Sequence, residues 1–124
     1  MATKPANAAQ KKWMSIISEW AIENIGELYG DEWSGTQFQL HHVMGRSAKQ
    51  DKVEIGHWFI LPVPFALHDV SSNHLLNVTH HKKSFVRKFG NQSEIFNQML
   101  HSMWDEGLET PSFDINNAIG STGA

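Results

Sequence analysis

Two short β-forming runs, Phe38-Gln39-Leu40-His41-His42-Val43 and His57-Trp58-Phe59-Ile60-Leu61-Pro62-Val63, stand in a chain whose other apolar residues recur mostly at helical spacing. The first alternates well enough for a strand, and the second is apolar and rich in β-formers. A polar, charged stretch from Gly45 to Gly56 separates them, so the two are expected to pair as a hairpin with a long connecting loop. Pro62 cannot donate to a ladder, which places the second run at an edge or ends it there.

Helical patterns flank this pair. Between Lys11 and Tyr29, the residues Trp13, Ile16, Ile17, Trp20, Ile25 and Leu28 form one apolar stripe, and Gly30 supplies a stop. Such a stripe predicts a core helix with no chemistry of its own. Downstream, Pro64 opens a short helix carrying Leu67 and His68. Thr79 is expected to cap another helix running through His80, His81, Phe85 and Phe89 to Gly90. Asn91 with Glu94 reads as a capping pair before the stripe Ile95, Phe96, Met99, Leu100, Met103 and Trp104. The order α, β, β, then several helices predicts an α+β fold.

A chain of 124 residues supports one core, so residues 11–115 are expected to form a single domain between flexible ends at 1–10 and 116–124. The first strongly apolar stretch is amphipathic and interrupted by charge, which argues against a signal peptide or a membrane span and makes the cytoplasm the expected location. The net charge of −3 gives no overall attraction to nucleic acid, so any such contact needs a local basic patch. Arg46, Lys49 and Lys52 in the loop, and Lys82, Lys83, Arg87 and Lys88 in the helix, are the candidates. Cysteine is absent, so disulfides are excluded and a metal would need His, Asp or Glu.

Seven of the eight histidines fall between His41 and His81. Imidazole both ligates transition metals and takes a proton near neutral pH. Adjacent side chains on a strand point to opposite faces, so His41 and His42 are expected to have different jobs. One can hold a metal while the other accepts a proton from attacking water, the division of labour that phosphodiester hydrolysis requires.

Several strings then acquire a common reading. His41-His42-Val43-Met44-Gly45-Arg46, Gly56-His57-Trp58, Ile60-Leu61-Pro62-Val63 and Leu67-His68-Asp69 together resemble HNH endonucleases of the ββα-metal (His-Me finger) superfamily. The likeness is greatest to phage HNH proteins, including recombination-enhancement nucleases that act with a host recombinase. It continues through His80-His81-Lys82-Lys83-Ser84-Phe85 and Phe89-Gly90-Asn91-Gln92, covering roughly 38–96.

The resemblance implies a small ββα-metal core of hairpin and helix, a divalent metal ion (zinc, magnesium or nickel), DNA as substrate and a recombinase as further partner, with no membrane. It implies His41 and His68 as metal ligands, His42 as general base, and Arg46 as a contact to the scissile phosphate. His57 would stand in for the family's middle residue, which orients the base or the loop backbone. The usual position of the third ligand holds Ser72 here, a poor ligand, so His81 is expected instead, with His74 and His80 as alternatives. The cysteines of the family's zinc knuckle are missing, and Pro64 stands in that region. Packing of Trp33, Phe38, Trp58, Phe59, Phe65 and the first helix would have to replace the knuckle, at about 1.5–3 kcal/mol per fully buried side chain. The competing expectation is a non-catalytic protein derived from this fold, which binds metal or DNA structurally.

Overall fold

The computed structural model describes residues 4–124. Its first helix, α1 (Ala8–Tyr29), begins three residues before the expected start, because Asn7 and Gln10 form a reciprocal capping box. The Gln10 N–H donates to Asn7 Oδ1 at 2.8 Å and the Asn7 N–H donates to Gln10 Oε1 at 2.9 Å, which satisfies two donors that a helix start otherwise leaves orphaned. The segment expected to be loose before residue 11 is therefore largely tied down, while residues 1–3 lie outside the described part. At the other end Gly30 adopts φ 111°, a conformation that stops the helix.

Strand β1 (Phe38–His42) pairs antiparallel with a strand at Ile60–Pro64, placing His41 opposite Leu61 and His42 opposite Ile60. Between them the loop folds into its own small hairpin, β2 (Lys49–Gln50) with β3 (Val53–Glu54), which makes the Ile60–Pro64 strand β4. The base of that loop is closed by the Ile55 and Gly56 N–H groups, both donating to the Ala48 carbonyl at 3.0 and 3.1 Å. β4 starts later than expected, since the Trp58 and Phe59 N–H groups both donate to the Ile55 carbonyl and curl His57 into a turn. Pro62 and Pro64 are tolerated because a two-stranded sheet has only edge strands.

A short helix, α2 (Phe65–His68), follows β4 without a break. The next segment is irregular and organised by Asn77, which is fully buried: its Oδ1 accepts from the Thr79 and His80 amides and its Nδ2 donates to the Asp69 carbonyl. This turn delays α3 to Lys82–Phe89, so Thr79, His80 and His81 precede the helix rather than lying on it. α4 (Gln92–Asp105) and α5 (Phe113–Gly120) complete the chain. The segment from 116 onward, expected to be loose, is packed: Ser112 caps α5, Ala118 and Ile119 are buried, and the Ser93 N–H donates to the Ala124 carbonyl at 2.8 Å.

The result is a mixed α+β fold of five helices around a two-stranded hairpin, among the described residues. Trp13, Ile17, Trp20, Ala21, Ile25 and Leu28 of α1 bury one face, and α1 packs against β4 and α4. Phe59 and Trp13 meet Phe96 of α4 edge-on, with centroids 5.4 and 6.2 Å apart, and the Trp13 indole N–H donates to the Trp58 carbonyl at 2.9 Å. Of the aromatics expected to replace the knuckle, Phe59 is fully buried and Trp33, Phe38 and Trp58 partly so, but Phe65 is exposed because it begins the outer turn of α2. No helix among the described residues is long and apolar enough to cross a membrane.

Candidate functional site

The hairpin and α2 sort the histidines into two pairs. His68, the last residue of α2, brings its Nε2 to 3.1 Å from His41 Nδ1. His57, in the turn before β4, brings its Nδ1 to 3.3 Å from His42 Nε2. Neighbouring residues of β1 thus serve different partners, as strand geometry requires.

The first pair is oriented by a relay. Gln39 Nε2 donates to Asp69 Oδ1 at 3.0 Å, and this fixes the amide so that its Oε1 faces His68 Nδ1 at 2.6 Å. Asp69 is itself held by the Ser71 amide and hydroxyl. These hydrogen bonds hold its carboxyl below the usual carboxylate range, so it remains an acceptor. His68 therefore carries its proton on Nδ1, and the neutral ring presents a bare Nε2 lone pair toward His41. Burial, then the positive charge His68 can carry, lowers His41 from 6.5 to about 4, and burial also lowers His68. Neutral imidazoles are the form that binds metal.

Two imidazole nitrogens bound at about 2.0–2.1 Å to one tetrahedral or octahedral ion lie roughly 2.9–3.4 Å apart, so the 3.1 Å separation fits a shared ion. A ligating histidine whose other ring nitrogen donates to a fixed oxygen is also the usual support for such an ion. The residues present therefore fit a divalent metal with His41 Nδ1 and His68 Nε2 as donors.

The third expected ligand is not brought to this pair. His81 is exposed at the start of α3, and its ring makes no hydrogen bond among the described residues. His80 Nε2 donates to the Val70 carbonyl at 2.8 Å, and His74 stacks edge-on against Trp33 while accepting from the Leu76 amide. No group of three His, Cys, Asp or Glu side chains converges among the described residues. The Asn77 turn spends positions 79–81 outside the helix on which His81 is expected.

The second pair is anchored on the backbone. A carbonyl only accepts, so the 2.8 Å contact between His57 Nε2 and Lys4 O places the His57 proton on Nε2. Its Nδ1 then accepts from His42 Nε2–H, and His42 Nδ1 is left as a lone pair with no hydrogen bond in the described structure. Burial, followed by the charges of His57 and Arg46, lowers His42 from its ordinary value. His57 is buried at the edge of a cleft of about 610 Å³ that Lys4, Arg46 and Lys49 also line. The loop backbone is tight here, because a Cβ on Gly56 would overlap the Arg46 carbonyl.

Positive charge flanks both pairs: Arg46 disfavours protonation of His42, and Lys82 that of His41. Lys82, Lys83 and Arg87 share one shallow surface depression. The sequence alone assigns no role to Gln39, Asp69 or Asn77. For Asp69 the signal was its adjacency to His68, and for Gln39 its position two residues before His41, on the same strand face. Asn77 carries no local signal. No protein-family model, curated protein or solved structure matches this chain.

Proposed function

We propose that this chain is a metal-dependent endonuclease of the HNH type, hydrolysing DNA phosphodiester bonds with a ββα-metal site formed by β1, β4 and α2. The observation that supports it most is the separation of adjacent histidines into a ligand-like pair, His41 with His68 at 3.1 Å, and a base-like pair, His42 with His57 at 3.3 Å. A divalent ion held by His41 and His68 would supply Lewis acidity toward a phosphate oxygen.

The chain's own residues do the rest. His42 Nδ1, unprotonated and free of hydrogen bonds, takes the proton of a water attacking phosphorus, after which the bond to the leaving sugar oxygen breaks. His57 holds His42 in the tautomer that presents this lone pair, and the Lys4 carbonyl holds His57. Arg46 beside His42, and Lys82 beside His41, neutralise phosphate charge and position the backbone without reading sequence. A phage setting and a recombinase partner rest on the sequence resemblance alone.

Two variants test the division of labour. His42→Ala is expected to keep metal binding, measured by calorimetry, while losing about 10²–10⁴-fold in plasmid nicking. His41→Ala is expected to lose metal affinity, with excess metal partly restoring its cleavage. Full nicking activity in His42→Ala refutes the assignment of the base and leaves the pair as structural histidines, whereas no divalent-metal-dependent nicking by the wild-type protein refutes the reading and leaves a structural metal- or DNA-binding protein.

A further inference from the structure

The cleft of about 610 Å³ beside His57 lies between the start of α1 and the loop that carries Arg46, Lys49 and Glu54, and its volume suits a nucleotide-sized ligand. Lys4, Arg46 and Lys49 line it with a single carboxylate, Glu54, so its charge is opposite in sign to the net −3 of the chain. Glu54 pairs with Lys4 at 3.9 Å between two exposed side chains, a weak contact that an incoming anion displaces at little cost. Gln10 is buried at the cleft wall, with 8 % exposure. Its Oε1 accepts from the Asn7 N–H, which settles the orientation of the amide and leaves Nε2 as a donor with no acceptor among the described residues. The N-terminus of the 22-residue α1 adds partial positive charge. No Phe, Trp or Tyr lines the walls, so the cleft offers donors and positive charge but no platform on which a base could stack.

Resting on the endonuclease reading above, we infer that this cleft holds a second phosphate of the DNA strand, next to the one attacked, through Lys4, Lys49 and the Nε2–H groups of Gln10. His57 ties the two positions together, since it lines the cleft while its ring lies 5.4 Å from that of His42. The grip is on the backbone and carries no sequence information. The site lies outside the hairpin and α2, because α1 supplies its buried donor and the residues just before α1 supply Lys4.

The test is fluorescence anisotropy of a labelled DNA duplex with the full, metal-chelated chain over a range of salt, beside calorimetric titration with inorganic phosphate. Gln10→Glu keeps the oxygen that accepts from Asn7, and with it the capping box, but turns the free donor into a carboxylate. It is expected to melt no lower than wild type and to weaken DNA binding about tenfold or more. Lys49→Gln is expected to weaken binding and to reduce the slope of log K against log salt by about one. Lys12→Gln, which removes the same charge from a residue paired with Glu109 outside the cleft, is expected to bind like wild type. Wild-type DNA affinity in either Gln10→Glu or Lys49→Gln overturns the inference, and so does an equal loss in Lys12→Gln. Inorganic phosphate binding that the two cleft substitutions abolish, with DNA affinity unchanged, also overturns it and marks a site for a free anion. DNA binding that depends on the cleft residues, in a wild-type protein that shows no metal-dependent nicking, upholds the cleft and overturns the endonuclease reading alone. A wild-type protein that binds no DNA overturns both.

Discussion

Replacing Asn77 by leucine removes the buried amide on which the segment after α2 is wound. Its Oδ1 accepts from the Thr79 and His80 amides at 2.8 and 3.1 Å, and its Nδ2 donates to the Asp69 carbonyl at 3.0 Å and to the Ala66 carbonyl at 3.3 Å. Two hydrogens on Nδ2 permit two donated bonds, giving four in all at about 1 kcal/mol each. Thr79 and His80 are exposed, so water can replace part of what their amides lose, whereas the Asn77 site itself admits none. The expected loss of stability is therefore about 2–4 kcal/mol. Asn77→Asp keeps the acceptor but sets a carboxylate oxygen against the Ala66 and Asp69 carbonyls in a site closed to water, and is expected to cost at least as much. Urea unfolding of the metal-free protein measures both. A loss below about 1 kcal/mol for Asn77→Leu would refute the view that this side chain organises the segment. The Ala66 and Asp69 carbonyls bracket His68, so the same variant should also weaken metal binding.

Gly56→Ala puts a Cβ into the Arg46 carbonyl, a backbone group that cannot move aside without opening the loop that also carries His57. A lowered melting temperature together with reduced nicking is expected, and a variant as stable as wild type would refute the close approach. The pH dependence of the metal-chelated protein has a definite sign. His41 is lowered from 6.5 to about 4 in the fold, so between these values the unfolded chain binds more protons and stability falls as pH falls. His42 and His68 are lowered by burial in the same direction. Urea midpoints measured from pH 7 to pH 4 should decline across this window, and a flat or rising profile contradicts the burial of these rings.

Local pattern determined much of this protein. The stripe from Trp13 to Leu28, the alternation around His41 and the apolar run ending at Val63 each follow from periodicity, and together they predict a helix, a hairpin and later helices. The same alternation separates the partners of His41 and His42, because a strand sends neighbours to opposite faces. Position in sequence could not decide which distant groups meet those two rings. Asn77 looks like an ordinary polar residue until the fold buries it to 0 % exposure. The turn that Asn77 nucleates replaces the start of the helix expected from Thr79, so His80 and His81 precede α3. The tail from 116 onward, rich in Gly, Ser, Thr and Ala, predicts a loose end, yet Ala118 and Ile119 suffice once α4 offers a surface to cover. Secondary structure is set by short-range sterics and spacing, which a sequence displays directly. A site depends on burial and on long-range contacts between segments, which exist only after the chain has closed on itself.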